Sequence, residues 1–352
     1  MISTLTDFHL HLNEIKKLIE YFETEKKLLS NFQFSNSNND LILNEVSKKL
    51  KDFRISKLKF NYNSIIISLY GIFERFIENC LSVYIERING IVKEYHKLPD
   101  IILKHHLTLS LSLLNKVEQP RYNGYLSKEI IINNLHTCIN NVNAYQLNKE
   151  AFAQHSANFR LQVIDDNFNQ VGIEQLSKKI LKTDSFTKFL IEKKGLAPNS
   201  SELDQLENLQ PLNDLAEWRN FVAHGIDNQI IENNTLLDYI DFYEAFSQAL
   251  FEVANKNLLN KRIEYNGIQL GKITDVFPNR KAVCFYTNGK KISIGQIIIG
   301  QNTTNTISSV IKNIQVNGTN FNTVAGENIE ISIEVDGNFK KNFKLYIFDD
   351  PV

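Results

Sequence analysis

Cysteine is scarce: Cys80, Cys138 and Cys284 are the only three in 352 residues, far apart and without C-x-x-C spacing. An odd, scattered set argues against a disulfide framework or a thiolate zinc site and implies reduced thiols. No charge of either sign dominates, the formal net charge being −1 at pH 7. A globally basic nucleic-acid binder is therefore excluded, although a cleft that handles RNA needs only a local basic patch. Apolar runs long enough to cross a membrane, about 18 residues, are missing, so no spanning helix and no membrane partner are expected. The opening stretch MISTLTDFHLHLNEIKKL lacks a basic segment followed by an apolar core. No signal peptide is expected, and a cytoplasmic location follows as the expectation.

Glycine is thin over most of the chain, with six of the 14 in the first 259 residues. That part reads as helix. FHLHLNEIKKLIEYFETEKKLL (8–29), NSIIISLYGIFERFIENCLSVYIERI (63–88) and LLDYIDFYEAFSQALFEVANKNLL (236–259) are the longest segments. In the second, Ile65, Leu69, Ile72, Phe73 and Phe76 recur at three- and four-residue steps, followed by Leu81 and Val83–Tyr84. Such spacing gives the wide apolar stripe of a bundle's central helix. QLSKKILKTDSFTKFLIEKK (175–194) reads as one further helix, its lysines either a solvated face or the wall of a phosphate-binding cleft. Loops are marked at 33–40, 119–125 and 193–204 by Asn, Ser, Gly and Pro.

Beyond residue 260 the remaining eight glycines fall among short β-branched runs. KAVCFYT and KKISIGQIII are joined by Asn288-Gly289, a strong hairpin signal. NIQVNG, IEISIEVDG and FKLYIF follow at short intervals. The fold class expected is α+β in separate domains: an N-terminal all-α bundle over 1–259 followed by a small all-β barrel over 260–352. The second part is mildly basic, with 11 Lys and Arg against 8 Asp and Glu. Edge-strand lysines account for that without any ligand.

The chemistry-bearing stretch is LAEWRNFVAHG (215–225). At 100° per residue Asn220 and His224 share a helix face, Arg219 lies about 140° from His224, and Gly225 is placed to end the helix. Histidine can move a proton near neutral pH, and arginine can clamp a phosphate and its developing charge. Together they suit RNA transesterification, with Asn220 supporting both. Spacing alone leaves this open against ordinary capping and surface roles. A single Arg and a single His are few for a full site, so two copies meeting across a symmetric dimer would complete it. His9/His11 and His105-His106 lack carboxylate or thiol neighbours and read as surface histidines. No metal or cofactor is expected. His155 reads as a helix-end histidine or a second RNA contact, and Trp218 as a core residue beneath the motif.

EWRNFVAHG (217–225) resembles the R-x4-6-H motif of the HEPN superfamily, including the polar residue directly after the arginine. IISLYGIFERFIEN (66–79) resembles the central helix of RiboL-PSP-HEPN and a related HEPN family, with Glu74 at the acidic position. QHSANFRLQVIDDNFNQVGI (154–173) resembles their middle segment, and the whole likeness covers roughly residues 50–255 in order. The resemblance implies an HEPN helical bundle acting as a metal-independent endoribonuclease in toxin–antitoxin, abortive-infection or other anti-phage defence. It further implies a homodimer with a composite site, in which Arg219 and His224 are catalytic and Asn220 supports them. Glu74 would orient Arg219 through a salt bridge, or else be a solvent-exposed helix charge. Some HEPN domains have lost activity, which leaves a non-catalytic adaptor for RNA or a translation factor, or a subunit silent until a defence partner binds.

GIQLGKITDVFPNRKAVCFYTNGKKISIGQIIIGQNTT (267–304) resembles the second domain of translational GTPases such as elongation factor Tu. KISIGQIIIG (291–300) matches that family's hairpin with Gln296 in place of Asp. Asn328 again replaces Asp, and Asn342-Phe343 stand where Gly-Asp is usual. No G-x4-G-K-[ST] phosphate loop occurs, so no GTPase accompanies the module. The likeness implies contact with tRNA, ribosomal RNA, a translation factor or the ribosome through residues 260–352, and an antitoxin or defence partner remains open.

Overall fold

The computed structural model describes residues 1–32, 41–140, 144–155, 157–225 and 230–348. The loop expected at 33–40 lies outside the described residues. Ten α-helices are described: α1 (Ile2–Phe32), α2 (Leu41–Ile91), α3 (Asp100–Leu114), α4 (Lys128–Ile139), α5 (Lys149–Phe152), α6 (Leu161–Gln170), α7 (Leu176–Leu181), α8 (Asp184–Lys194), α9 (Pro211–Ala223) and α10 (Asn233–Asn266). The chain divides into two compact units, Met1–Ile85 with Leu98–Val253, and Glu86–Lys97 with Ala254–Val352. The expected boundary at 259/260 falls inside α10, because the sequence offers the helix no glycine until Gly267.

In the helical unit α2 is the central element. Ile65, Ile66, Leu69, Tyr70, Phe73, Phe76 and Ile77 are buried at helical spacing, whereas Ile72 and Val83 of the expected stripe are half-buried. Phe8 of α1 stacks on Phe76 at 4.4 Å, and Phe73 meets Tyr243 of α10 at 4.8 Å. These rings bury large apolar areas and hold three long helices together. Phe186 of α8 meets Phe242 of α10 edge-on at 5.9 Å. The single helix expected at 175–194 is two. Thr183 Oγ1 accepts the Phe186 N–H at 3.3 Å and caps α8, so the chain restarts there instead of running through.

The second unit carries eleven strands: β1 (Ile268–Gln269), β2 (Ile273–Phe277), β3 (Ala282–Tyr286), β4 (Ile292–Ser293), β5 (Ile297–Gln301), β6 (Thr306–Val310), β7 (Asn313–Val316), β8 (Thr319–Asn320), β9 (Thr323–Val324), β10 (Glu330–Glu334) and β11 (Lys344–Ile347). They form three sheets, ordered β1-β11-β5-β6, β2-β3-β10-β7-β8 and β4-β9. Every described pairing is antiparallel. Strands of all three contribute to one apolar core that includes Phe285, Ile292, Ile298, Ile314, Ile333 and Leu345. The C-terminal part is thus a β-sheet domain whose ladders remain in three pieces.

The hairpin expected at Asn288-Gly289 does not form. Both residues take positive φ, +49° and +73°, and a turn is made. Yet β2 and β10 already occupy both edges of β3, and β4 pairs with β9 instead. A tight hairpin of that type forms at Asn317-Gly318, which joins β7 to β8. The last turns of α10 belong with this unit. Asn260 Oδ1 accepts Gln301 Nε2 at 3.0 Å and Thr306 Oγ1 at 2.7 Å, and the Arg262 guanidinium lies 4.1 Å from the centre of the Phe348 ring.

Candidate active site

α9 begins at Pro211, whose fixed φ suits the first helical position. Its buried face is Leu212, Leu215 and Ala216. Arg219 continues that same face, seven, four and three residues further on, so its side chain is directed toward the bundle. Trp218 lies off this face and is half-buried, its ring 4.6 Å from that of Tyr239, so it is not the core residue expected. His224 is the exposed C-cap, and Gly225 at φ +64° ends the helix, as its position in the sequence required.

The bundle meets Arg219 with an aromatic ring. Its guanidinium carbon stands 5.5 Å from the centroid of Tyr70 on α2, a cation–π arrangement. Its hydrogen bond among the described residues runs from Nη1 to Asn220 Oδ1 at 3.4 Å, so most of its fork of N–H donors is unengaged there. Asn220 is itself held, since Oδ1 also accepts from Asn158 Nδ2 at 2.5 Å. Tyr70 is fixed at its far end. Its oxygen accepts the buried Phe159 N–H at 3.1 Å, and its O–H donates to Glu74 Oε1 at 3.4 Å. Burial pushes the Tyr70 hydroxyl up to about 12, so it stays a neutral donor.

The expected Glu74–Arg219 salt bridge is not formed. Glu74 is one-third exposed and pairs with His155 at 3.4 Å, while the Tyr70 side chain touches both the acid and the arginine. His155 lies beyond the end of α5 and is largely enclosed, its side chain being 11% exposed. Nε2 faces Glu78 at 3.0 Å and Nδ1 faces the Ala157 carbonyl at 2.9 Å. Glu78 in turn accepts from Arg121 Nη2 at 2.7 Å. Burial alone would lower the His155 pKa, but the bonds to Glu78 and Ala157 and the charge of Glu74 raise it overall. Burial likewise opposes the charge of Glu78, yet His155 and Arg121 hold its carboxyl below the usual range.

The structure thus brings together Arg219, Asn220 and, through Tyr70, Glu74. His224 is exposed and has no side-chain hydrogen bond with another described residue. Tyr70, Glu78, Arg121 and Asn158 were not singled out from sequence. Tyr70, Glu74 and Glu78 recur every four residues along one edge of α2, a signal that could have been read. His106, expected at the surface, is buried and accepts the Asn148 N–H at 3.1 Å. His9 bonds the Ser247 hydroxyl at 2.8 Å. Among the described residues no group of three His, Cys, Asp or Glu is arranged to hold a metal ion, and no helix is long and apolar enough to cross a membrane.

The model of the RiboL-PSP-HEPN family matches residues 22–256, which include every residue of this site. The chain belongs to that family. RiboL-PSP-HEPN and other HEPN domains are generally ribonucleases, which gives the helical domain an RNA-related function at the level of the family. No curated protein matches the chain. Two solved structures are similar to part of it, the C-terminal domain of a Geobacillus thermoleovorans putative U32 peptidase and its selenomethionine variant. Each is 12% identical; they cover 24% and 23% of this chain and 91% and 95% of their own, with TM-scores of 0.20 and 0.19. Scores so low constrain neither fold nor function.

Proposed function

We propose that this RiboL-PSP-HEPN protein is an endoribonuclease that cuts cellular RNA without a metal ion, tRNA before ribosomal RNA, in bacterial toxin–antitoxin or abortive-infection defence. The ribose 2′-oxygen attacks the neighbouring phosphorus, the P–O5′ bond breaks, and a 2′,3′-cyclic phosphate and a 5′-hydroxyl result. Arg219 clamps the phosphate and balances its extra charge, and Asn220 keeps Arg219 in place. His224 takes the 2′-OH proton or delivers one to the leaving oxygen. On one chain Arg219 turns inward to Tyr70 while His224 is exposed, so a homodimer that shares the two motifs completes the acid and base pair.

The observation that carries this reading is Arg219 itself. Its guanidinium carbon lies over the Tyr70 ring, Nη1 is tied to Asn220, and the rest of its donor fork has no partner among the described residues. A bidentate phosphate clamp needs that arrangement. The C-terminal domain, read as the counterpart of domain 2 of translational GTPases, is assigned RNA recognition. It bears an open groove of about 440 Å³ lined by Gly271, Lys272, Thr274, Tyr286, Asn288 and Asn328. Lys272 supplies charge, and Tyr286, 41% exposed, supplies a stacking face for a base.

The test is incubation of the purified protein with total cellular RNA in EDTA, beside Arg219→Ala and His224→Ala, with the cut ends mapped by sequencing. Discrete cuts bearing cyclic phosphates, lost in both variants, support the reading. Cuts that survive in both variants, or a folded dimer that never cuts, would overturn it.

A further inference from the structure

Ala157, Asn158 and Phe159, ahead of α6, are each fastened to a different partner. Both ring nitrogens of His155 face acceptors only: the Ala157 carbonyl at Nδ1, and the carboxylates of Glu78 and Glu74 at Nε2, at 2.9, 3.0 and 3.4 Å. A neutral imidazole has one N–H and one lone pair, so one nitrogen would then point a lone pair at an oxygen. With both carboxyls ionised, only the doubly protonated ring satisfies all the contacts.

The cation is not exposed to a partner from outside. Glu74 and Glu78 face it from α2, Arg121 faces it through Glu78, Tyr70 touches Glu74, and Phe159 covers one side of the ring at 4.2 Å. Arg219 approaches only as far as the Tyr70 ring.

Three successive residues then run out from this anchor, each with its own attachment. The Ala157 carbonyl accepts from the His155 ring. Asn158 Nδ2 donates to Asn220 Oδ1 at 2.5 Å. The Phe159 N–H donates to the Tyr70 oxygen at 3.1 Å. The last two attachments end on the two side chains that touch Arg219: Asn220 beside it and Tyr70 beneath it.

We infer that the Ala157–Phe159 segment is a positioning clamp for Arg219, anchored by a cationic His155 between Glu74 and Glu78 and acting through Asn158 on Asn220. His155 and Asn158 are positioning residues: each acts on Arg219 through another side chain. Glu74 therefore acts on the arginine at one remove, through the segment and the Tyr70 hydroxyl. When His155 loses its second proton, either the Ala157 carbonyl or the carboxylate pair loses its donor. The segment then loosens, and Asn220 no longer holds one fixed amide orientation. The catalytic meaning of the clamp rests on the nuclease reading, but its geometry does not.

The experiment uses the full chain with 15N-labelled histidine and arginine, as wild type, Asn158→Ala and His155→Gln, each checked for an intact melting transition. In the wild type the His155 ring is expected to keep imidazolium nitrogen shifts above pH 6.5, the ordinary value. The Arg219 Nε signal should move as His155 titrates, and should stay moved in Asn158→Ala at every pH. A His155 ring that is neutral at pH 7, or an Arg219 signal indifferent to Asn158→Ala, overturns the clamp. If His155→Gln does not fold, the wild-type titration and Asn158→Ala still decide.

Cleavage gives the second readout. Each single variant should lose roughly 10- to 100-fold in kcat with KM nearly unchanged, as misplacement of a catalytic group does. The double variant should be no worse than the poorer single one, because both act through one chain of contacts. Additive losses, or a loss confined to KM, overturn it. A wild type that cuts no RNA refutes the nuclease reading alone, and the nitrogen shifts then judge the clamp by themselves.

Discussion

Arg219 lies over the ring of Tyr70, its guanidinium carbon 5.5 Å from the ring centroid, while the hydroxyl of that same tyrosine accepts the Phe159 N–H at 3.1 Å. One side chain of α2 thus supports the motif helix with its face and the Ala157–Phe159 segment with its oxygen. Tyr70→Phe separates the two roles. It keeps the ring under Arg219 and leaves the buried Phe159 N–H without its acceptor, a loss of about 1–3 kcal/mol. Chemical denaturation should record that loss, and Tyr70→Leu, which removes the ring as well as the hydroxyl, should cost more cleavage than Tyr70→Phe.

Arg219→Lys should fail almost as badly as Arg219→Ala. An ammonium cannot offer two parallel donors in a fixed fork to a phosphate. A fall in kcat/KM of about 10²–10³ is expected for either, the size seen when one stabilising donor is removed from a reacting centre. Lysine activity within threefold of wild type would refute the bidentate clamp.

His224 is exposed and bonds no described side chain, so His224→Ala should leave the melting temperature within a degree or so while cleavage falls by roughly 10²–10⁴. A large drop in stability would instead mark it as a structural cap.

The anchor of the clamp has a sign in pH. His155 has a raised pKa, so its stabilising contribution is complete below its unfolded value of about 6.5 and is lost as pH rises through the folded one. Glu78 has a lowered pKa, so its contribution is present above its ordinary range and is lost as pH falls through the folded value. Stability measured against pH should therefore fall at both ends, and His155→Gln should lose the alkaline fall. If the alkaline fall survives in that variant, another group causes it.

In the β-sheet domain Gly300 has no room for a side chain. A Cβ there would stand 2.6 Å from the Phe343 ring and 2.8 Å from that of Phe339. Gly300→Ala should cost about 1–3 kcal/mol, the range for overpacking a filled core. Cleavage by any protein that remains folded should keep the Arg219 and His224 dependence described above.

The sequence by itself determined the two architectures. Apolar residues at three- and four-residue steps around Leu69 and Phe73 bury on one face as a helix, and the short β-branched runs between glycines beyond Gly267 suit strands. It also marked Arg219, Asn220 and His224, because local spacing and a terminal glycine are local facts. It could not fix where α8 restarts, which depends on one threonine oxygen, nor that Asn288-Gly289 would turn without making a hairpin. Strand partners are chosen by which edges are already filled, and that is settled over the whole domain. The same holds at the site. Glu74 was legible as an acid on the right helix, but its partner was not, since His155 lies 81 residues away in the chain. Only the packed bundle puts Tyr70 under Arg219 and Asn158 beside Asn220, because contacts between distant segments follow from how helices bury their faces together.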